Sequence, residues 1–174
     1  MIKLDILENQ AKTAYLAIGS NLGNKKQNVE LAKFKLQSYG IKIIKCSGNY
    51  ESLSWPNSNH PKFINVVLKI QTFLSPGKLL KLCNVIEKKL GRKRFKKNYP
   101  RTCDIDILDY NQKITIPSKS LNLSLPHPQL NKRNFVLLPL FEISKTWIHP
   151  VSKKNITNLI NTLNIKDLST VKQI

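Results

Sequence analysis

Residues 99–108 read YPRTCDIDIL. Cys103, Ile105 and Ile107 alternate here with Asp104 and Asp106, and side chains two apart in a strand share a face. The pattern predicts a strand with one apolar face packed in a core and one face bearing two carboxylates, just after Arg101. Two ionised carboxylates this close repel, and burying them unpaired is costly. They are either solvent-facing acids at a strand edge or a pair sharing a divalent cation. Hard Mg²⁺ suits the second case, because it takes carboxylate oxygens together with substrate phosphates.

Upstream of the strand, GRKRFKKNYPRT supplies Arg92, Arg94, Lys96, Lys97 and Arg101. As a bare stretch this is a solvated basic turn; beside two acids it also suits polyphosphate transfer, which depends on positioning and charge neutralisation. Before it, SPGKLLKLCNVIEKKLGRK carries clear helix signals. Ser75 suits the N-cap, Pro76 the first helical position and Gly91 the stop. Leu79, Cys83, Ile86 and Leu90 form one stripe, and Asn84 and Glu87 share a neighbouring face.

Towards the N-terminus, Ala14–Ile18 reads as a strand, followed by a helix capped by Asn24 that runs to about Ser38, with Gly40 just past its end. IKIIKCSGNYES, residues 41–52, resumes as a strand of imperfect alternation. A Pro/Asn/Ser loop covers residues 52–61, and KFINVVLKIQTF (62–73) is a strand rich in β-branched residues. The order β-α-β-β-α-β is that of an α+β, ferredoxin-like core: a mainly antiparallel sheet with helices packed on its faces. A Pro-punctuated tail follows, with a last weak helix near Ile156–Leu163.

The length of 174 residues and hydrophobic content of 41% fit a single domain over 1–174, with 1–12 a short N-terminal extension. No apolar run approaches the length of a membrane span, and no signal-peptide pattern opens the chain, which points to the cytoplasm and away from a membrane. Three cysteines without CxxC spacing argue against disulfides or structural zinc, so Cys46, Cys83 and Cys103 are expected as buried thiols. The net charge of +19 fits either nucleic-acid binding or a composition rich in Lys, Asn and Ile. Most lysines are scattered, which favours composition. Within the loops and tail, Asn65 inside an apolar strand requires a partner, and Phe63 shares its face, an aromatic plate beside an amide. Trp55 adds a second ring nearby. His127 and Arg133 follow in LPHPQLNKRNF, either structural or phosphate-contacting.

Together AYLAIGSNLGN, FIN, LSPGKLL, IEKKLGRKR, PRTCDIDIL, LPHPQL and RNFVLLPLFEI, spread over about Thr13–Pro150, resemble the 6-hydroxymethyl-7,8-dihydropterin pyrophosphokinases of folate biosynthesis. The resemblance implies transfer of pyrophosphate from ATP to the pterin alcohol, with AMP leaving, by a monomer acting on small molecules and not on nucleic acid. It implies that Asp104 and Asp106 hold two Mg²⁺ ions and that Arg92 and Arg101 are catalytic. Nucleotide contacts fall on Asn84, Glu87, Arg94, Ile107, His127 and Arg133, with Ile107 beside the adenine. Pterin contacts fall on Ser52, Leu53, Phe63, Asn65 and Phe135, the two phenylalanines sandwiching the ring. Three departures stand out. NYPRT lacks the family's usual Gly before Pro-Arg-Thr and is one residue shorter, which brings Tyr99 near the place of a pocket-sealing tryptophan. Lys96 or Lys97 replaces a further loop cation, and the first pterin loop reads SLSWPN. Two other classes share parts of the pattern: an RNA-binding module on a similar sheet, lacking paired aromatic strand motifs here, and a Mg²⁺-dependent nucleotidyltransferase.

Overall fold

The structure, a computed structural model, describes residues 10–55, 57–93, 99–118 and 121–174. Its centre is a pair of long antiparallel strands, β1 (Lys12–Ser20) and β4 (Phe63–Thr72), paired over their whole length from Lys12 opposite Thr72 to Ser20 opposite Ile64. β5 (Asp104–Tyr110) flanks β1 on the outer side. On the other side β4 carries two short strands end to end, β2 (Lys42–Cys46) and β3 (Tyr50–Ser52), and β3 in turn pairs with the C-terminal β6 (Val171–Gln173). The order β5-β1-β4-β3-β6, with every pairing antiparallel, is the expected α+β sheet.

The stretch expected as one strand over 41–52 is two. Ser47 breaks it: its N–H donates to the Val67 carbonyl (3.0 Å) while its Oγ accepts the Val67 N–H (2.9 Å), so one residue occupies both ladder positions and turns the chain.

Helices α1 (Lys25–Ser38) and α2 (Pro76–Lys89) have the predicted ends. Asn24 and Ser75 accept backbone N–H groups at their starts, and Gly40 and Gly91 take positive φ just beyond their last turns. Both pack on one sheet face, where Ala14, Leu16, Ile18, Ile64, Val66, Ile105 and Ile107 meet Val29, Ala32, Leu36, Leu79, Cys83 and Ile86. The second face is covered by α3 (Asn134–Ile143) and α4 (Ile156–Asn161), through Val136, Leu137, Leu140 and Leu159, with Trp147 from the connection between them, on Tyr15, Val67 and Leu108. Leu108 reaches this second core by ordinary alternation from Ile107, and the bulge beside it in the β1–β5 ladder shifts the phase so that Tyr110 returns to the first core. A single turn, α5 (Ile165–Leu168), leads into β6. Among the described residues no helix is long and apolar enough to cross a membrane.

The expectation for the cysteines is also corrected. Cys83 and Cys103 are buried, but Cys46 is exposed, because β2 leaves its outer face uncovered.

Candidate active site

The covering of the second face stops short of the Ser20 end of β1, and the site lies in the space left open. Asp104 pairs with Gly19 and Asp106 with Ala17 across the β1–β5 ladder, so each carboxylate stands beside a residue with little or no side chain. Gly19 has no room to spare: a Cβ there would come within 3.1 Å of Asn65 Oδ1 and 3.3 Å of Phe63 Cδ1. The recess above it is lined by Phe63 and Asn65 of β4, by Ser52, Leu53 and Trp55 around the end of β3, and by Arg133 and Phe135 at the start of α3. All five residues expected on the pterin side therefore share one recess with Arg101, Asp104 and Asp106.

The two carboxylates have separate cation sets. Asp104 pairs with Arg92 on Oδ1 and with Arg101 on Oδ2, the Arg101 Nε lying 2.7 Å away. Asp106 Oδ2 accepts from Arg133 Nη1 at 2.7 Å. Burial alone would raise the Asp104 carboxyl, but Arg101 and Arg92 outweigh it and hold the group below the ordinary aspartate range. His127 Nε2 is 3.7 Å from Asp106 Oδ2, beyond a hydrogen bond. Burial pulls His127 below its usual pKa against the pull of Asp106, so the ring is neutral at pH 7, and its Nδ1 accepts the Gln129 N–H (3.1 Å). Two of these three arginines also lie over rings: Arg101 at 5.0 Å from Phe63 and Arg133 at 5.8 Å from Phe135.

Glu87 supports this cluster from below. It is 3% exposed near the C-terminal end of α2, where a carboxylate opposes the helix dipole and needs donors. Its Oε1 accepts both the Ile105 N–H (2.8 Å) and Arg92 Nη1 (2.5 Å), tying helix, strand and arginine together. Asn84, Glu87, Lys88 and Arg92 line a shallow groove beside the recess.

Of the other expected nucleotide residues, His127 and Arg133 sit on the Asp106 side of the recess. Ile107 is 3% exposed and packs into the core with α1 and α2, on the face away from the carboxylates. Arg94, Lys96 and Lys97 lie outside the described residues. Tyr99 is half exposed and packs on the His60 ring at 5.9 Å, outside the recess lining. Sequence reasoning missed Ala17, Gly19 and Val136 in the recess lining. The signal for Ala17 and Gly19 was small residues near the end of an apolar strand; Val136, inside α3, carried none.

A family model of 7,8-dihydro-6-hydroxymethylpterin-pyrophosphokinase (HPPK) matches residues 15–145. The 2-amino-4-hydroxy-6-hydroxymethyldihydropteridine pyrophosphokinase of Aquifex aeolicus is 41% identical over 142 residues, covering 82% of this chain and 86% of that protein. The Synechocystis protein of the same name is 35% identical over 157 residues, covering 89% and 78%. The folic acid synthesis protein fol1 of Pneumocystis carinii is 38% identical over 165 residues; these are 95% of this chain but 22% of that longer protein. In fold the chain is similar to a crystal structure of Plasmodium falciparum HPPK-DHPS with pteroate (TM-score 0.74, 18% identity), covering 96% of this chain and 47% of that one.

Proposed function

The chain belongs to the 7,8-dihydro-6-hydroxymethylpterin-pyrophosphokinase family of folate synthesis, and from that premise we propose how its own residues carry out the reaction. The pterin hydroxymethyl oxygen attacks the β-phosphorus of ATP in line, the bond from that phosphorus to the α-phosphate oxygen breaks, and AMP leaves. The observation that carries this reading is the shared recess. An aromatic and amide lining on one side meets two carboxylates, Arg101 and Arg133 on the other, with Arg92 reaching Asp104 from the adjoining groove, so both substrates reach one place.

On the pterin side, Phe63 and Phe135 provide the rings that bracket a flat heterocycle. Asn65 spends its Nδ2 on Ser52 Oγ (2.9 Å) and the Tyr50 carbonyl (3.4 Å), which fixes the amide and turns Oδ1 over Gly19 into the recess. An acceptor held this way suits the ring N–H groups of a pterin. Leu53 and Ser52 bound the same ring from the β3 end.

On the phosphate side, Arg92, Arg101 and Arg133 neutralise the carboxylates in the absence of substrate, and they are the groups that turn to phosphate oxygens when ATP enters. Arg92 and Arg101 then face the charge that builds up on the transferred group, with Arg94, His127 and the Asn84–Glu87 groove along the nucleotide. The donor set fits Mg²⁺. Asp104 and Asp106 offer hard oxygens on one strand face, and no cluster of three or more His, Cys, Asp or Glu among the described residues could enclose a metal by itself. Its remaining ligands would thus be phosphate oxygens and water. When bound by these two residues, two Mg²⁺ ions supply neutralisation of the phosphate charge. We further take the enzyme to work as a cytoplasmic monomer on these small molecules.

Product analysis tests the reading. With ATP, Mg²⁺ and 6-hydroxymethyl-7,8-dihydropterin, AMP and the pterin diphosphate form in equal amounts. Release of pyrophosphate would instead mean nucleotidyl transfer, and release of ADP a simple phosphoryl transfer.

A further inference from the structure

Two walls of the recess are tied to the C-terminal segment, which lies after residue 145, where the family match ends. Its last strand, β6, extends the sheet beyond β3, with Val171 opposite Ser52, Lys172 opposite Glu51 and Gln173 opposite Tyr50. Ser52 is 2% exposed, and its Oγ takes the amide of Asn65. The turn before β6, α5, meets the other wall at Asn134, which stands between Arg133 and Phe135. Asn134 is buried and its amide is fully used. Oδ1 accepts the Phe135 N–H (2.7 Å), while Nδ2 donates to the Asp167 carbonyl and to Thr170 Oγ1 (3.2 Å), 33 and 36 residues away. The Thr170 hydroxyl closes the triangle by donating to the same Asp167 carbonyl (2.7 Å). A flipped amide would set its NH₂ against the Phe135 N–H and its oxygen against the Asp167 carbonyl, so its partners fix its orientation.

Leu53, Arg133 and Phe135 line the recess and also a second pocket of about 220 Å³, to which Asp167 and Thr170 belong. With open space on that side, close packing does not hold these residues there, and the hydrogen bonds of the tail gain weight. The simplest alternative is a tail that adds to overall stability. Its apolar burial is small: α5 buries no residue, Ile165 is 82% exposed and Ile174 is 53% exposed.

We propose that residues 165–174, keyed by Asn134, are a positioning element for the heterocycle side of the recess, setting Phe135 on one wall and Ser52 on the other. The identity of the heterocycle rests on the proposed function. The phosphate side is held by other contacts. Arg133 lies on Asp106, and Arg101 lies on Asp104 and is fixed through its backbone N–H by Asn21 Oδ1 (2.7 Å). Loss of the tail contacts therefore falls on the pterin and spares the nucleotide.

Substitutions at both ends of the link test this. Asn134→Asp keeps the acceptor for the Phe135 N–H and loses both donors. Thr170→Val removes the hydroxyl and Thr170→Ser keeps it; Thr170 is exposed, so its variants carry the test even where Asn134→Asp does not fold. Ile156→Val, in the second core and outside the recess lining, controls for lost stability. At saturating ATP and Mg²⁺, the KM for 6-hydroxymethyl-7,8-dihydropterin is expected to rise about tenfold in Asn134→Asp and about fivefold in Thr170→Val, with kcat within about threefold of wild type. Thr170→Ser stays within about twofold in KM, and so does Ile156→Val despite its lower Tm. The Kd of a non-hydrolysable ATP analogue with Mg²⁺, measured by calorimetry, stays within about twofold throughout. The proposal is overturned if Thr170→Val keeps the wild-type KM, if Ile156→Val raises KM as far, or if nucleotide binding weakens in parallel. A wild type that forms no AMP overturns the proposed reaction and this inference with it; a wild type that forms AMP, with variants that share its KM, overturns this inference alone.

Discussion

Replacing Glu87 is expected to separate the two jobs its carboxylate does. In Glu87→Ala the Ile105 N–H, on a residue 3% exposed, loses its acceptor (2.8 Å), and an unsatisfied buried donor costs about 1–3 kcal/mol. Arg92 loses one of two carboxylates but keeps Asp104; its side chain is 17% exposed, so this part is worth about 1 kcal/mol. The sum is about 3 kcal/mol. For a chain of this size each kcal/mol moves the midpoint by about 2–4 °C, so Tm should fall by about 6–12 °C. Glu87→Gln retains a carbonyl oxygen for Ile105 and gives up only the charge facing Arg92, so its fall should be about 2–4 °C. Thermal unfolding followed by far-ultraviolet circular dichroism measures both. If the glutamine variant falls as far as the alanine variant, the charge and not the acceptor holds β5 on α2, and the reasoning fails. An alanine variant within about 2 °C of wild type refutes it outright.

Three further outcomes follow from particular contacts. Gly19→Ala places a methyl 3.1 Å from Asn65 Oδ1 and 3.3 Å from Phe63, so pterin affinity should drop by about tenfold or more in a calorimetric titration, with little change for the nucleotide alone. Burial pulls His149 below its ordinary pKa of 6.5, and its Nδ1 accepts the Val151 (3.2 Å) and Ser152 (3.1 Å) N–H groups. The unfolded chain therefore takes up this proton more readily than the folded one. His149 adds stability that is complete above about pH 6.5 and is lost as pH falls below it; a Tm series from about pH 7 to about pH 5 should slope downward, and less so in His149→Gln. With an aromatic disulfide reagent the native protein should show one thiol that reacts without unfolding, the exposed Cys46, at a rate below that of a free cysteine because partial burial raises its pKa too. Burial raises Cys83 and pushes Cys103 up to about 12, so both should react only on unfolding.

Local features announce themselves in the sequence when their cause is local. Asn24, Ser75, Gly40 and Gly91 mark helix ends because capping and positive φ act within a few residues. The alternation in residues 103–107 predicted which side chains enter the core, and the recess gathers the five aromatic, amide and loop residues that the family resemblance placed on the pterin side. α3 was hidden because Pro139 and an almost wholly apolar run resemble loop punctuation; the helix tolerates that proline because tertiary burial outweighs one lost backbone bond. β6 is three residues long and exists only through its pairing with β3. Gly19 and Asn21 act through what stands opposite them in space, 46 residues away at Asn65 and 80 at Arg101. Sheet register and loop closure decide those partners, and neither is written in the neighbouring residues. Cys46 was misplaced for the same reason, since the exposure of β2 depends on which strand face the helices leave bare.

The most direct test of the central claim concerns the carboxylate pair. Asp106→Asn keeps the size and shape of a side chain that pairs with Arg133, and Asp104→Asn does the same beneath Arg92 and Arg101. AMP released from ATP and 6-hydroxymethyl-7,8-dihydropterin should be measured alongside circular dichroism of the same samples. Loss of AMP formation by at least about a thousandfold in both variants, in protein that remains folded, is the predicted result. Turnover near the wild-type rate in either folded variant would contradict it.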